Sequence, residues 1–202
     1  MRREIQKQEK RRRILEAALR VVDQFGWEGA TVEMIASEAD VSLPTLFRYY
    51  PTKVDLLFAD DEHILAGWEN AVQEVRSGET LVDALRRATL QGSLGRVDPR
   101  LARLRLELIP SEADLQLRQL AFDAQALRRA ALALQRRLGL SERDLRPRAL
   151  AAATMGAVRA AQERWKVEGG DVASHISEAF CCLTELGALW TAVVPETPAA
   201  RG

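Results

Sequence analysis

Residues 42–53 read Ser-Leu-Pro-Thr-Leu-Phe-Arg-Tyr-Tyr-Pro-Thr-Lys. Their side chains suit recognition rather than turnover. Ser42 and Tyr49 can donate to phosphate oxygens, and Arg48 can bond guanine or phosphate. Thr45, with Leu43 and Pro44 at the amino end of the segment, offers methyl and ring surface to a thymine methyl. Lys53 sits where a helix begins, a place whose free amides favour a phosphate. Thr31, at the start of the preceding helix, and Arg11, in a basic amino-terminal arm, complete the candidate set. The implied ligand is double-stranded DNA.

Three short elements must hold these groups in place. Thr31 is a helix cap, and the helix it opens ends near Ala39. Asp40 and Val41 make a turn in which one residue needs positive φ; Gly is the cheapest choice there and Asp the next tolerable. Ser42 caps the second helix, with Pro44 in its first turn, where a missing N–H costs little. Pro51 ends it. Ala36 is small enough for the second helix to pack close. Ile35, Ala39, Val41 and Leu46 supply the buried side, and Leu46 and Tyr50 face the core together. Thr45, Arg48 and Tyr49 are then expected to point outward. This is the layout of a helix-turn-helix, whose second helix enters the major groove.

The charge is local. The 202-residue chain has a formal net charge of zero. Residues 2–13 nevertheless carry seven basic and two acidic groups, and 54–202 carry 19 basic and 21 acidic. A basic arm beside a helix-turn-helix suits phosphate contact, although a solvated terminus also reads this way. No Gly-rich phosphate loop, Ser-His-Asp context or paired metal motif is present, and two histidines leave little acid–base equipment. An enzyme is not expected, nor a cofactor or metal. Asp60, Asp61, Glu62 and His63 are consecutive and spread around a helix rather than converging. Cys181 and Cys182 point about 100° apart on a helix, so they do not suit a mutual bridge and read as buried, inert thiols. With no membrane-length apolar run and no signal-peptide pattern, the protein is expected to be soluble and cytoplasmic.

Helical periodicity runs throughout. Nine helices are expected: 7–25, with Ile14, Ala18, Val21, Val22 and Phe25 inward; 31–39; 42–50; 52–78; 80 to about 92; 98–110; 111–139; one after Pro147 to 169; and 171–194. The fold class is all-α. The expected domains are a DNA-binding unit over 7–56, a larger helical domain over 57–194 and a disordered tail over 195–202. Trp68, Phe122, Met155 and Trp165 are the candidates to line an apolar effector pocket. The last helix has one apolar stripe through Ile176, Phe180, Leu183 and Trp190 and another through Cys182, Leu186, Leu189 and Val193. The helix before it is rich in small residues, Ala153, Gly156 and Ala157 among them. Two apolar faces imply burial on two sides, one against a second copy of the chain, with Ala153, Ala157, Phe180, Leu183 and Trp190 as candidates for that interface.

Over residues 13–58 the sequence resembles the TetR family of transcriptional regulators. The family's G-[aromatic]-x-x-x-T link corresponds to Gly26-Trp27-Glu28-Gly29-Ala30-Thr31. Its I-A-x-x-A-G-V-S corresponds to Ile35-Ala36-Ser37-Glu38-Ala39-Asp40-Val41-Ser42, and its T-L-[YF]-x-[HY]-[FY] to Thr45-Leu46-Phe47-Arg48-Tyr49-Tyr50. Pro51-Thr52-Lys53 opens its P-x-K-x-x-L. Asp40 departs from the usual Gly, Phe47 from a common Tyr, Tyr49 from a frequent His and Pro44 from a frequent Gly. The resemblance implies a homodimer joined through the last two helices, binding a palindromic operator and released by a small-molecule effector. The alternative is a helical ligand-binding or adaptor protein with a degenerate DNA unit, for which Asp40 and the neutral net charge speak.

Overall fold

The structure, a computed structural model, describes residues 2–74, 76–94 and 99–193, with the side chains of 2–5, 92–94, 99 and 186–193 outside the description. The expected tail at 195–202 therefore lies outside the described residues. All regular structure among the described residues is helical: α1 (Arg2–Gly29), α2 (Val32–Glu38), α3 (Leu43–Tyr49), α4 (Val54–Leu57), α5 (Asp61–Gln73), α6 (Leu81–Leu94), α7 (Pro99–Leu108), α8 (Ala113–Leu138), α9 (Arg146–Glu168) and α10 (Val172–Val193). The one helix expected over 52–78 is two segments, α4 and α5, separated by turns at 58–60; the other eight have one counterpart each. None of the described helices is long and apolar enough to cross a membrane.

The chain divides into two compact units. The first comprises 1–62 and 97–122, the second 63–96 and 123–202. The first is thus larger than the expected 7–56. Its additional segments contribute apolar residues that must be covered: Leu57, Phe58, Leu101 and Leu115 are all at most 3 % exposed and cluster with Leu19.

In the first unit, Ile14, Ala18, Val21 and Val22 of α1 pack with Ile35, Ala36, Ala39, Leu46 and Tyr50. Phe25 departs from the expected stripe and is 48 % exposed. Gly26, at φ 72° and ψ 170°, breaks the helical path just after it, and Trp27 packs against both apolar clusters of this unit instead.

A charged group lies within the same unit. Asp61 Oδ1 accepts from Arg105 at 2.8 Å, and Arg118 Nη2 lies 2.9 Å from Asp61 Oδ2. The Arg105 and Arg118 guanidiniums lie over the Phe58 ring, at 3.9 and 4.6 Å from its centre. Burial pushes the Asp61 carboxyl above its ordinary value, opposed by both guanidiniums. Phe122 belongs here as well, 4.9 Å from Arg105. Its ring, expected to line an apolar cavity, has a guanidinium stacked on it.

In the second unit, Val72, Leu85, Ala133, Leu134, Ala151, Ile176 and Phe180 form the core, with Leu183 and Trp68 packed against it. Thr80 and Asp83 cap α6 reciprocally: Asp83 N donates to Thr80 Oγ1 at 3.1 Å, and Thr80 Oγ1 to Asp83 at 2.6 Å. Asp171 accepts from the amides of Ala173 and Ser174 and so caps α10. Arg137 donates to the Val72 and Glu74 carbonyls, and Arg87 to those of Ala71 and Glu74. Two guanidiniums thereby satisfy the carbonyls left over where α5 ends.

Candidate nucleic-acid interface

The interface begins with the two caps that the sequence marks. Thr31 Oγ1 accepts from Met34 N at 3.2 Å, and Ser42 Oγ from Thr45 N at 3.4 Å. Each hydroxyl satisfies an amide that its helix leaves free. Between them, α2 ends in a complete Schellman motif. Val41 N donates to Ala36 O at 3.0 Å and Asp40 N to Ser37 O at 3.1 Å. Asp40 adopts φ 52°, the sole positive φ of a non-glycine among the described residues. Asp thus does the work of the usual Gly, and the turn is intact.

The first helix braces this turn. Arg13 Nη2 donates to Ala39 O at 2.7 Å, and Arg20 pairs with Glu38 at 2.7 Å. Arg11 is stacked over the Tyr50 ring at 5.4 Å, while its carbonyl accepts from the Tyr50 hydroxyl at 3.4 Å. Arg11, expected as a phosphate contact of the arm, therefore also fixes where the arm joins α3.

On α3, Leu46 is fully buried and Tyr50, its carboxy-terminal cap residue, is 2 % exposed. The outward face differs from expectation. Thr45 and Tyr49 are half-buried, as is Leu43, and both Tyr49 and Leu43 pack on the apolar core. Pro44, Phe47 and Arg48 are exposed, Phe47 to 42 %. At about 100° per residue, positions 47 and 49 lie symmetrically about the direction away from Leu46 and Tyr50. The helical wheel alone thus has no means of choosing between them; packing of Tyr49 against neighbouring elements decides it. Phe47, outside the expected set, is thus the exposed one of the two.

Lys53, expected to meet phosphate, has contacts within the chain. Its Nζ donates to the Trp27 carbonyl and lies 4.3 Å from the Trp27 ring centre. Burial lowers its ammonium below the ordinary value, opposed by Glu112 and Glu28. These contacts tie α4's start to Trp27 near the end of α1. Just beside Lys53, Thr52 N and Asp55 N exchange bonds with each other's side chains at 2.9 and 3.2 Å, a capping box.

The remaining candidates lie elsewhere. Trp68 donates to Thr89 Oγ1 at 3.3 Å, and Trp165 Nε1 to Gly170 O at 3.0 Å beyond the end of α9. Met155 is half-buried on α9. With Phe122 in the other unit, the four expected pocket residues do not gather within either one. A cleft of ≈ 370 Å³ in the second unit is lined instead by His63, Gly67, Asn70, Glu74 and Gln91, with Ala66 and Ala71. Ala157 and Phe180 are buried in their own unit, and Leu183 packs against the same core. Ala153 is exposed, together with Ala149, Ala152, Gly156 and Ala160. The Trp190 side chain lies outside the described residues. Cys181 and Cys182 are exposed, not buried as expected.

Comparison with known proteins gives a consistent result. Residues 14–59 match the bacterial regulatory proteins of the tetR family. Residues 79–186, more than half the chain, match the MftR C-terminal domain. The transcriptional repressor KstR of Mycolicibacterium smegmatis is 45 % identical over 49 residues, 24 % of either chain, so the match spans about a quarter of that relative. MftR of Mycobacterium tuberculosis is 28 % identical over 153 residues, covering 75 % of this chain and 77 % of that one. Among solved structures, the transcriptional repressor FadR of Thermus thermophilus, in complex with lauroyl-CoA, superposes with a TM-score of 0.58 at 26 % identity, covering 95 % of this chain and all of that one.

Proposed function

The chain belongs to the TetR family, and from that premise we propose that it is a homodimeric transcriptional regulator, a repressor held on a palindromic operator until a small-molecule effector releases it. One observation carries the DNA reading. The α2–turn–α3 unit is capped at both helix starts, closed by a Schellman turn and braced by Arg13, and it leaves Pro44, Phe47 and Arg48 exposed on one strip. A rigid helix with an unsatisfied outer strip, beside a basic arm, suits the major groove. The intact turn also answers the objection raised by Asp40, and the basic arm places positive charge locally on a chain of zero net charge.

For the dimer, support comes from the exposed small residues of α9, Ala152, Ala153, Gly156 and Ala160, and from the neighbouring exposed Cys181 and Cys182 on α10. Ala153 is then at the interface, while Ala157 and Phe180 support it from within. For the effector, support comes from relatives such as FadR with its acyl-CoA and from the room beside α5, since ≈ 370 Å³ falls in the range of small-molecule sites. Effector and operator are coupled reciprocally: the effector weakens DNA binding by the same factor as DNA weakens effector binding.

Selection of bound sequences from random duplex DNA tests the reading. A palindrome with half-sites about one helical turn apart, or a multiple of it, is expected. Recovery of no enriched sequence contradicts it.

A further inference from the structure

We infer that the operator half-site is read chiefly through thymine methyl groups, with a guanine taken by Arg48, and that Phe47 sets the thymine preference. This rests on α3 being the helix that enters the major groove.

Each base pair shows the major groove a distinct set of donors, acceptors and methyl groups, and each set calls for particular side chains. Adenine is read in two-point fashion by Asn or Gln, and cytosine by Asp or Glu. Residues 42–50 contain none of these four. Ser42 Oγ lies 2.9 Å from Thr45 Oγ1 and accepts from Thr45 N, so Ser42 is engaged at the helix start. Thr45 and Tyr49 are half-buried. Arg48 remains as the exposed hydrogen-bonding group of α3, its guanidinium 5.5 Å from the Tyr49 ring centre. Stacking there orients a planar fork of donors, which matches the O6 and N7 acceptors of guanine.

What else is exposed on α3 is apolar. Pro44 and Phe47 are three positions apart, and Pro44 and Arg48 four, so the three side chains are neighbours on one strip. Phe47 has no hydroxyl for a phosphate, and 42 % of it is left to solvent by its own chain. The apolar group that the major groove offers is the thymine C5 methyl. A strip of two rings and one guanidinium therefore selects thymines beside a guanine, and takes adenines and cytosines only as the partners of those bases.

Removing the methyl alone tests this. Selected half-sites are resynthesised with deoxyuridine replacing thymine one position at a time, which leaves every hydrogen-bonding group in place. Binding to the full chain and to its Phe47→Ala and Arg48→Ala variants is followed by fluorescence anisotropy, with thermal unfolding confirming that both variants fold. The wild type should lose about fourfold in affinity for each methyl that it touches. Phe47→Ala should lose methyl sensitivity at the position that Phe47 touches while keeping any at the position under Pro44, and Arg48→Ala should lose about tenfold of its guanine preference at one position. Wild-type indifference to deoxyuridine at every position overturns the inference while leaving the regulator reading intact. A Phe47→Ala variant with the same methyl sensitivity as the wild type at every position overturns the assignment to Phe47. Failure to bind any duplex at low salt removes the regulator reading itself, and this inference with it.

Discussion

Arg13 Nη2 donates to the carbonyl oxygen of Ala39 at 2.7 Å, joining α1 to the last residue before the turn. The same guanidinium lies 3.6 Å from the Asp40 carboxylate. That carboxylate is almost wholly solvated, so the carbonyl bond is the one that counts. Arg13→Ala should cost about 1 kcal/mol of unfolding free energy and weaken operator binding several-fold. Urea denaturation and anisotropy check the two effects. An unchanged affinity would show that α1 does not set the position of the turn.

Asp40 holds φ 52°, a conformation that costs an L-residue with a Cβ more than it costs glycine. Asp40→Gly should raise stability by about 0.5–1 kcal/mol, the relief being partly offset by the greater freedom of glycine in the unfolded chain. It should also tighten DNA binding, because it removes a negative charge beside the recognition helix. Asp40→Val should do the reverse in denaturation experiments. A destabilised Gly variant would mean that the Asp side chain contributes more than its solvated position implies.

Lys53 is committed to Trp27. Lys53→Ala should therefore act on stability, by about 1 kcal/mol, and leave the salt dependence of DNA binding unchanged. If Lys53 neutralised a phosphate instead, its removal would lower the log–log slope by about 1 for each subunit. Measured slopes for the two proteins separate the cases. The lowered ammonium value has a sign as well: the unfolded chain binds the proton more tightly, so stability rises as pH climbs toward the ordinary value of 10.5.

Asp144 accepts from both the backbone and the side chain of Arg146, at 2.9 and 2.6 Å, where α9 begins. Hydrogen bonds from the Arg146 side chain and amide hold its carboxyl at about 2, against an ordinary 3.8. A depressed acid contributes stability that is fully present above the ordinary value and is lost as pH falls through about 2. Carboxyl-carbon NMR should find Asp144 titrating near that value. In Arg146→Ala it should move most of the way back; no movement would assign the depression to other groups.

The legible part of this molecule was its punctuation. Thr31 and Ser42 mark helix starts because a hydroxyl near a free amide has one clear use, and both do so. Asp40 was legible for the same local reason. Less legible was whatever depends on neighbours remote in sequence. Residues 97–122 join the first unit because Leu101 and Leu115 cluster with Leu19 and Phe58, which no local period reveals. The contact of Lys53 with Trp27 was hidden because the two are 26 positions apart. Tyr49 and Phe47 were interchangeable on a wheel until packing half-buried one and left the other exposed.

Binding to the selected palindrome as a function of salt tests the central claim most directly. A dimeric regulator should show a dissociation constant of roughly 10⁻⁸ M or tighter near physiological salt. Its log–log slope should be about −5 or steeper, as expected when two copies engage at least six phosphates together. Affinity no greater than for random duplex at every salt concentration would contradict the claim.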